Sequence, residues 1–209
     1  MIKIIIADDH AIVRNGIKQF IFREMPDAKI TEVDNGNALL KEVRDSKFDI
    51  VISDVSMPGR SGLEALKQLK EEFPKLPVLI LSMHPEEQYA LRVLKAGASG
   101  YINKDCAPDE MVKAVRQILN GRKYITASIA ERLTETLGED FSEAPHEKLS
   151  DREFEVLKLI GSGKTVSEIG DILSLSSNTI STYRLRILEK MNLRTNAELI
   201  HYVLENKLI

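Results

Sequence analysis

The first 120 residues alternate short apolar runs with amphipathic stretches, and this alternation restricts the fold more than any other feature. The runs at 49–53 and 77–81 are rich in Val, Ile and Leu, as strands buried on both faces should be. Strands that alternate with helices build a parallel sheet covered by helices. The sequence therefore predicts an α/β domain with a five-stranded parallel sheet. The predicted strands are 2–7, 29–33, 49–53, 77–81 and 99–102, and the predicted helices are 11–24, 36–45, 62–73, 86–96 and 108–120.

The alternation of strand and helix ends after Gly121. Residues 128–137 have the pattern of a short helix, and residues 138–148 are polar, acidic and interrupted by Pro145, which is typical of a linker. Four short helices are predicted after it, at 151–161, 165–173, 177–191 and 195–206. We therefore expect an α/β domain over 1–121, a partly helical linker over 122–147 and a small all-α domain over 148–209.

Composition restricts the cellular setting of the chain. No stretch approaches the roughly 20 apolar residues needed to cross a bilayer, and two aspartates interrupt the apolar start where a signal peptide would continue. The single cysteine, Cys106, excludes an intrachain disulfide and a cysteine-rich zinc site. We therefore expect a cytoplasmic protein with no membrane partner. The net charge of −3 argues against a generally basic nucleic-acid-binding surface but permits a local positive face.

Polar residues stand at the ends of the predicted strands. Asp8 and Asp9 end the first apolar run, Asp54 the third and Ser82 the fourth, and Lys104 lies just past the fifth. In an open α/β sheet, ligands bind outside the carboxyl ends of the strands, where the strand order reverses. Each residue alone is compatible with a solvated strand end. Their joint occurrence predicts a binding site at one edge of the sheet.

Three crowded carboxylates repel one another and raise each other's pKa unless a cation binds them. Mg²⁺ prefers oxygen ligands and suits such a cluster. The arrangement also fits an aspartyl phosphate, in which Asp54 attacks phosphorus while Lys104 and the Ser82 hydroxyl bind the remaining phosphoryl oxygens. The residues therefore favour a Mg²⁺-dependent phosphoryl-accepting site.

The runs IIADDH, DIVISDVSMPGRSGLE, VLILSMH and GASGYINKD resemble the receiver domain of two-component response regulators over essentially residues 1–121. The resemblance implies a flavodoxin-like (βα)5 fold and makes Asp54 the phosphoacceptor. It also implies that Asp9, Asp54 and the Ser56 carbonyl bind Mg²⁺, and that Asp8 acts through the water shell of the ion.

The same resemblance makes Ser82 and Tyr101 a switch pair and assigns Lys104 to the phosphoryl group. A phosphoryl group adds charge and acceptor oxygens, which draw the Ser82 hydroxyl inward and let the Tyr101 ring rotate into the domain. The alternative is that Tyr101 is an ordinary half-buried aromatic residue. Asn103 departs from the apolar residue that is common before this lysine, and we expect it to affect local packing more than chemistry.

The last domain contains a helix, a tight turn at 174–176 and a second helix at 177–191, which is the order of a helix-turn-helix. In this motif the second helix enters the major groove of DNA through its N-terminal part. An inward face is predicted by the apolar residues that recur at spacings of three or four, Ile180, Tyr183, Ile187 and Met191, and Leu188 widens it. The predicted DNA contacts come from the other side and from the start of the helix: Ser177, Asn178, Thr179, Ser181, Thr182, Arg184, Arg186 and Lys190. A solvated amphipathic helix is the alternative.

The run from Leu149 to Tyr202 resembles the DNA-binding domain of LuxR-type regulators, so the whole chain resembles a NarL/FixJ-family response regulator. The resemblance implies phosphorylation by a sensor histidine kinase and binding of a homodimer to double-stranded promoter DNA. It also implies that the last helix pairs the DNA-binding domains and that the first and fifth helices form a receiver interface. Ser181 and Tyr183 replace a frequent lysine and a frequent histidine, which puts base preference and affinity in doubt.

Two other functions remain open from the residues. In the first alternative, the chain still binds DNA and its first domain is a phosphorylation-independent dimerisation module. In the second alternative, the first domain is an enzyme, namely a phosphatase that works through an aspartyl intermediate. The intact set of Asp8, Asp9, Asp54 and Lys104 argues against the first, and the helix-turn-helix argues against the second. The sequence therefore predicts a regulator that is phosphorylated on Asp54 and binds DNA, and that catalyses no more than its own phosphorylation and slow dephosphorylation.

Overall fold

The structure is a computed structural model that describes residues 1–83, 86–106, 108–131, 144–206 and 208–209, apart from the side chains of 87, 88 and 147. The chain forms two compact units, Met1–Glu139 and Asp140–Ile209. None of the helices in the described part of the chain is long and apolar enough to span a membrane.

The first unit alternates strands and helices, and its five parallel strands stand in the order β2-β1-β3-β4-β5. The predicted α/β fold with a five-stranded parallel sheet is therefore confirmed. The strands are β1 (Lys3–Ala7), β2 (Lys29–Val33), β3 (Ile50–Asp54), β4 (Val78–Ser82) and β5 (Gly100–Asn103). The helices are α1 (Ala11–Glu24), α2 (Gly36–Asp45), α3 (Gly62–Glu72), α4 (Glu86–Lys95) and α5 (Pro108–Leu119).

Both faces of the sheet are buried: all ten residues of β3 and β4 are buried, and seven of them are apolar. Alternate residues such as Ile4, Ile52 and Leu81 form one core with residues of α1 and α5. The residues between them, such as Ile5 and Ile80, are buried as well, on the opposite face. The polar residues of the central strands are therefore confined to the carboxyl-terminal part of each strand, with Ser53 and Asp54 in β3 and Ser82 in β4, and this is where the candidate site lies.

β3, β4 and β5 each begin and end one residue later than predicted. The ladder between β3 and β4 pairs Asp54 with Leu81, and the ladder between β4 and β5 pairs Ser82 with Asn103. The prediction ended each strand with its last apolar side chain, whereas strand pairing depends on backbone N–H and C=O groups. Asp54 and Ser82 are therefore the last residues of their strands.

The second unit contains only helices in its described residues, and the predicted all-α domain is confirmed. The helices are α6 (Asp151–Gly161), α7 (Val166–Leu173), α8 (Ser177–Met191) and α9 (Asn196–Glu205), preceded by a 3₁₀ helix at Pro145–Lys148. Ser150, Thr165 and Thr195 begin α6, α7 and α9 with capping boxes, in which a glutamate three residues later closes the turn. The core is apolar: Phe154, Leu157, Ile169, Leu173, Ile180, Ile187, Leu199 and Val203 are all buried.

The predicted linker is described only in part. Residues 127–131 are helical, and the rest of the helix predicted at 128–137 lies outside the described residues, as do residues 138–143. Within Pro145–Lys148, His146 Nδ1 lies 2.8 Å from the Tyr202 hydroxyl, and the His146 ring stacks on Phe154 with centroids 5.8 Å apart. The end of the predicted linker therefore packs against α6 and α9 of the second unit.

Candidate functional site

The candidate site lies at the carboxyl ends of β1 and β3, where the strand order reverses. Asp8 follows β1 and Asp54 ends β3, and the two residues are 1% and 3% exposed. Asp9 and His10 are exposed beside them. One ligand atom from each of these four residues lies within 4.8 Å of the others. The fold therefore brings together the three carboxylates that the sequence predicted, and it adds the imidazole of His10.

Lys104 reaches into the cluster from the end of β5. Its Nζ atom lies 2.6 Å from Asp8 Oδ2 and 2.8 Å from Asp54 Oδ2, and its backbone N–H donates to the Ser82 carbonyl at 2.8 Å. Burial alone lowers the pKa of Lys104, but the Asp54 and Asp8 carboxylates outweigh burial and raise it above its ordinary value. The ammonium group therefore stays charged and serves two carboxylates at once.

Burial raises the pKa of Asp54, and the neighbouring Asp8 carboxylate adds to the increase. The Lys104 ammonium and the backbone N–H of Ser56, which donates to the Asp54 carboxylate, oppose the increase without cancelling it. The folded protein therefore holds Asp54 in an environment where negative charge is costly. Such an environment favours a further cation.

The position of the Asp8 carboxylate indicates that the cluster suits a hard divalent cation. Asp8 Oδ2 is buried and forms an ion pair with the Lys104 ammonium at 2.6 Å. A buried carboxylate oxygen with a lone pair to offer, next to the carboxylates of Asp9 and Asp54, matches the oxygen ligands that Mg²⁺ prefers.

Gly62, the first residue of α3, is a site residue that the sequence prediction missed. A Cβ atom at this position would lie 1.8 Å from the backbone oxygen of Asp54, and the Gly62 N–H donates to the Val55 carbonyl at 2.9 Å. The Ser61 and Glu64 capping box begins the helix at this point. Only glycine lets α3 begin directly against the backbone of the predicted phosphoacceptor.

Ser82 and Tyr101, the predicted switch pair, are both buried. Tyr101 pairs with Ile80 across β4 and β5, and Ile80 and Ser82 lie on one face of β4, so Ser82 and Tyr101 are diagonal neighbours on that face. Tyr101 is 0% exposed. The Tyr101 ring therefore already lies in the interior of the domain in this structure. It is not the half-buried aromatic residue that the sequence left as an alternative.

The second unit contains a helix-turn-helix formed by α7 and α8. Ser174 has a left-handed backbone with φ of 55°, and the Leu175 N–H donates to the Gly170 carbonyl at 2.8 Å. A Cβ atom on Gly170 would lie 2.6 Å from the Leu175 backbone oxygen, so glycine permits the tight turn. Ser176 then caps α8 by accepting the Thr179 N–H at 3.1 Å.

The eight predicted DNA contacts all lie on or near the accessible side of α8. Thr179, Ser181 and Arg184 are half-buried, and the other five are exposed: Ser177, Asn178, Thr182, Arg186 and Lys190. The predicted inward face is confirmed at Ile180, Ile187, Leu188 and Met191, which are buried, whereas Tyr183 is half-buried.

Several of these polar side chains also contact the protein itself. Arg184 donates to Asn196 Oδ1 at 3.0 Å. Lys190 Nζ lies 2.6 Å from the buried Glu153 carboxylate of α6. Hydrogen bonding and the Lys190 ammonium lower the pKa of Glu153 in spite of its burial. Lys190 therefore stabilises the packing of α8 on α6, while its contact with DNA stays a prediction.

The first unit has the fold and acidic cluster of a phosphoryl-accepting receiver, and the second has the helix-turn-helix of a DNA-binding domain. The chain matches the family model of the response regulator receiver domain over residues 4–116 and that of bacterial regulatory proteins of the luxR family over residues 147–203. It belongs to the NarL/FixJ family of two-component response regulators, which regulate transcription through a LuxR-type DNA-binding domain.

Relatives of known name match the chain along its length. Response regulator UvrY of Escherichia coli (strain K12) is 34% identical over 210 residues, covering 100% of this chain and 96% of the relative. Oxygen regulatory protein NreC of Staphylococcus haemolyticus is 37% identical over 215 residues, covering 99% of both. The structure of the response regulator RcsB in complex with DNA is 29% identical, with a TM-score of 0.59 over 97% of each chain.

Proposed function

We propose that Asp54 accepts a phosphoryl group from a sensor histidine kinase, with Mg²⁺ bound, and that phosphorylation controls dimerisation and promoter binding by the second unit. The observation behind this proposal is the buried cluster in which one ammonium group, Lys104, contacts both Asp8 and Asp54. The proposed domains are a receiver at 1–121, a connector at 122–147 and a DNA-binding domain at 148–209. We also propose that the protein works in the cytoplasm.

The proposed ion site consists of Asp9, Asp54 and the Ser56 carbonyl, with Asp8 acting through the water shell of the ion. Mg²⁺, when bound, supplies positive charge that offsets the carboxylates and the incoming phosphoryl oxygens. A carboxylate oxygen of Asp54 forms the new bond to phosphorus, and the bond from phosphorus to the donor breaks, with its electron pair leaving on the donor. Asp54 thus acts as the nucleophile, so the protein is itself the acceptor and the phosphodonor is the other reactant.

Lys104 is placed to follow the negative charge during this step. In the unphosphorylated protein it pairs with the Asp54 carboxylate, and after transfer the phosphoryl oxygens offer it an equivalent partner. Lys104 therefore binds the phosphoryl group without leaving the site. Its second partner, Asp8, holds the ammonium in place throughout.

The switch acts through Ser82 and Tyr101. A phosphoryl oxygen accepts a hydrogen bond from the Ser82 hydroxyl. This contact stabilises the arrangement in which the Tyr101 ring is inside the domain. Because the ring is already buried in this structure, phosphorylation raises the population of an existing arrangement. Phosphorylation shifts this equilibrium only by the difference in its interaction with the two states.

The second unit binds double-stranded promoter DNA through α8. Its eight predicted contacts divide into side chains that reach base edges, near the start of the helix, and cations such as Arg186 that contact phosphates. RcsB, a response regulator of similar structure, has been solved with DNA, as two dimers on two parallel DNAs, and on a promoter in the presence of the phosphomimetic BeF3−. These neighbours support a dimer that binds DNA in its phosphorylated state.

Labelling with radioactive acetyl phosphate tests the phosphoryl-accepting role. Wild type should incorporate label in the presence of Mg²⁺ and should not do so when a chelator removes the ion. Asp54→Asn should incorporate no label under either condition. Asp45→Asn is a matched control, because the same change is made at an exposed aspartate at the end of α2. Label that persists in Asp54→Asn would move the acceptor to another residue.

The same protein samples discriminate the two alternative functions. A phosphorylation-independent dimerisation module needs no metal, so Mg²⁺ would neither bind nor stabilise the first unit. A phosphatase would turn over a phosphomonoester many times, whereas the proposed receiver catalyses only its own phosphorylation and slow dephosphorylation.

A further inference from the structure

α8 exposes a large apolar side chain on the side that is proposed to face DNA. Leu185 is 58% exposed, although it lies in the middle of the helix. The buried residues Ile180, Ile187 and Met191 form the opposite side of α8. At 100° per residue, Leu185 points about 160° away from Ile187. Leu185 therefore contributes nothing to the core of the domain.

Most neighbours of Leu185 on this face are polar, and the exception is the buried Leu188, three residues after it. The polar neighbours are spaced by three, four or seven residues from Leu185, which places them on the same side of the helix. They are Asn178, Ser181 and Thr182 before it and Glu189 after it. Single exposed leucines are common on protein surfaces. This one is distinguished by its place at the centre of the face that a helix-turn-helix inserts into the major groove.

One polar group beside Leu185 already has a hydrogen-bond partner within the protein. Thr182 Oγ1 donates to the Asn178 carbonyl at 3.0 Å, so the only hydrogen of this hydroxyl is used inside the helix. The Thr182 side chain therefore has a methyl group, rather than a donor, to offer to a base. Together with Leu185, three residues later, it makes a small apolar surface.

In the major groove, the thymine C5-methyl group is the apolar feature that distinguishes one base pair from the others. We propose that Leu185 contacts a thymine methyl group in each half-site and makes the protein prefer an A·T pair at that position. This inference rests on the proposed function, because it requires α8 to lie in the major groove. It adds Leu185 to the predicted contacts as a residue that determines base preference.

Replacement of thymidine by deoxyuridine tests the contact, because it removes only the methyl group. A site is first selected from a genomic fragment library with phosphorylated wild type, and each thymidine is then replaced singly. Wild type should lose about fourfold in affinity at one position of each half-site, which is the burial of one methyl group converted at tenfold per about 1.4 kcal/mol. Leu185→Ala should bind thymidine and deoxyuridine equally at that position.

Ile209→Ala is the matched control, because Ile209 is also a large exposed apolar side chain, at 46%, but follows the end of α9. It should retain the fourfold loss of the wild type. Alanine favours helix, so Leu185→Ala keeps α8 folded. A wild type that tolerates deoxyuridine everywhere, or a Leu185→Ala that keeps the same loss, would overturn the contact while leaving DNA binding intact. Failure of wild type to select any fragment would instead refute the proposed function, and the contact with it.

Discussion

Replacement of Asp54 by asparagine should stabilise the metal-free protein. Lys104 is the only cation in contact with the two buried carboxylates among the described residues, and burial raises the pKa of Asp54 in spite of this partner. The fold therefore disfavours the ionised form of Asp54. Asparagine has the same shape and no charge, and it leaves Lys104 paired with Asp8 at 2.6 Å.

The size of the effect follows from the pairing. Replacing a whole buried ion pair by apolar residues is neutral or stabilises a protein by about 1–4 kcal/mol, whereas removing one partner of a lone pair costs about 3–5 kcal/mol, because it leaves a buried charge unpaired. Asp54→Asn leaves no unpaired charge, since Lys104 and Asp8 remain as a pair. Because Lys104 keeps one of its two partners, we expect the lower part of the stabilising range, about 1–2 kcal/mol. For a unit of 139 residues this corresponds to an increase in Tm of about 3–10 °C.

Mg²⁺ should change which of the two proteins, wild type or Asp54→Asn, is the more stable. Wild type gains stability with metal concentration, by about 2.7 kcal/mol when Mg²⁺ is a hundred times its Kd, whereas Asp54→Asn lacks one ligand and gains less. Calorimetry of the full chain in chelator and in Mg²⁺ measures both effects, and Asp45→Asn should behave as wild type does. A metal-free Asp54→Asn that melts below wild type, or an equal gain with Mg²⁺ in both proteins, would refute the reasoning.

Three further predictions concern packing, protonation and DNA binding. Gly62→Ala should destabilise the protein by about 1–3 kcal/mol in thermal unfolding and impair labelling of Asp54, because its Cβ atom meets the backbone of Asp54. Gly16→Ala, in open space within α1, is the control and should stabilise the protein slightly. Burial lowers the pKa of Lys158 to about 8, so the unfolded chain binds the extra proton above this pH. The free energy of unfolding should therefore rise between about pH 8 and 10.5, by up to about 1.4 kcal/mol per pH unit, and Lys158→Met should remove the slope. Arg186→Ala should weaken DNA binding and reduce the slope of log affinity against log salt by about 0.9, and an unchanged slope would remove this residue from the phosphate contacts.

The sequence predicted the elements that depend on local patterns. The bounds predicted for α1, α2, α6 and α8 agree with the structure residue for residue, because each helix combines apolar periodicity with a clear start or stop. The polar residues at strand ends were also predicted to meet, since parallel strands deliver their carboxyl ends to one edge. Topology and the acidic cluster were therefore available from the sequence.

Contacts between distant side chains away from the strand ends were not predicted. Lys190 pairs with Glu153 across 37 positions, and His146 packs on Phe154 and Tyr202 from a segment whose composition indicates a linker. Gly62 is required by a backbone approach that has no periodic signal. A signal existed in that case, because a serine followed three residues later by a glutamate, as Ser61 and Glu64 are, predicts a capped helix start. Gly62 directly follows this serine and is the residue that the start of the helix brings against the backbone of Asp54.

Control of DNA binding by phosphorylation of Asp54 can be measured by enrichment of genomic fragments. Wild type and Asp54→Asn are compared, each with and without acetyl phosphate and Mg²⁺. The phosphodonor should raise enrichment of specific fragments for wild type alone. Equal enrichment by the two proteins, unchanged by the phosphodonor, would contradict it and leave a DNA-binding protein whose receiver has another role.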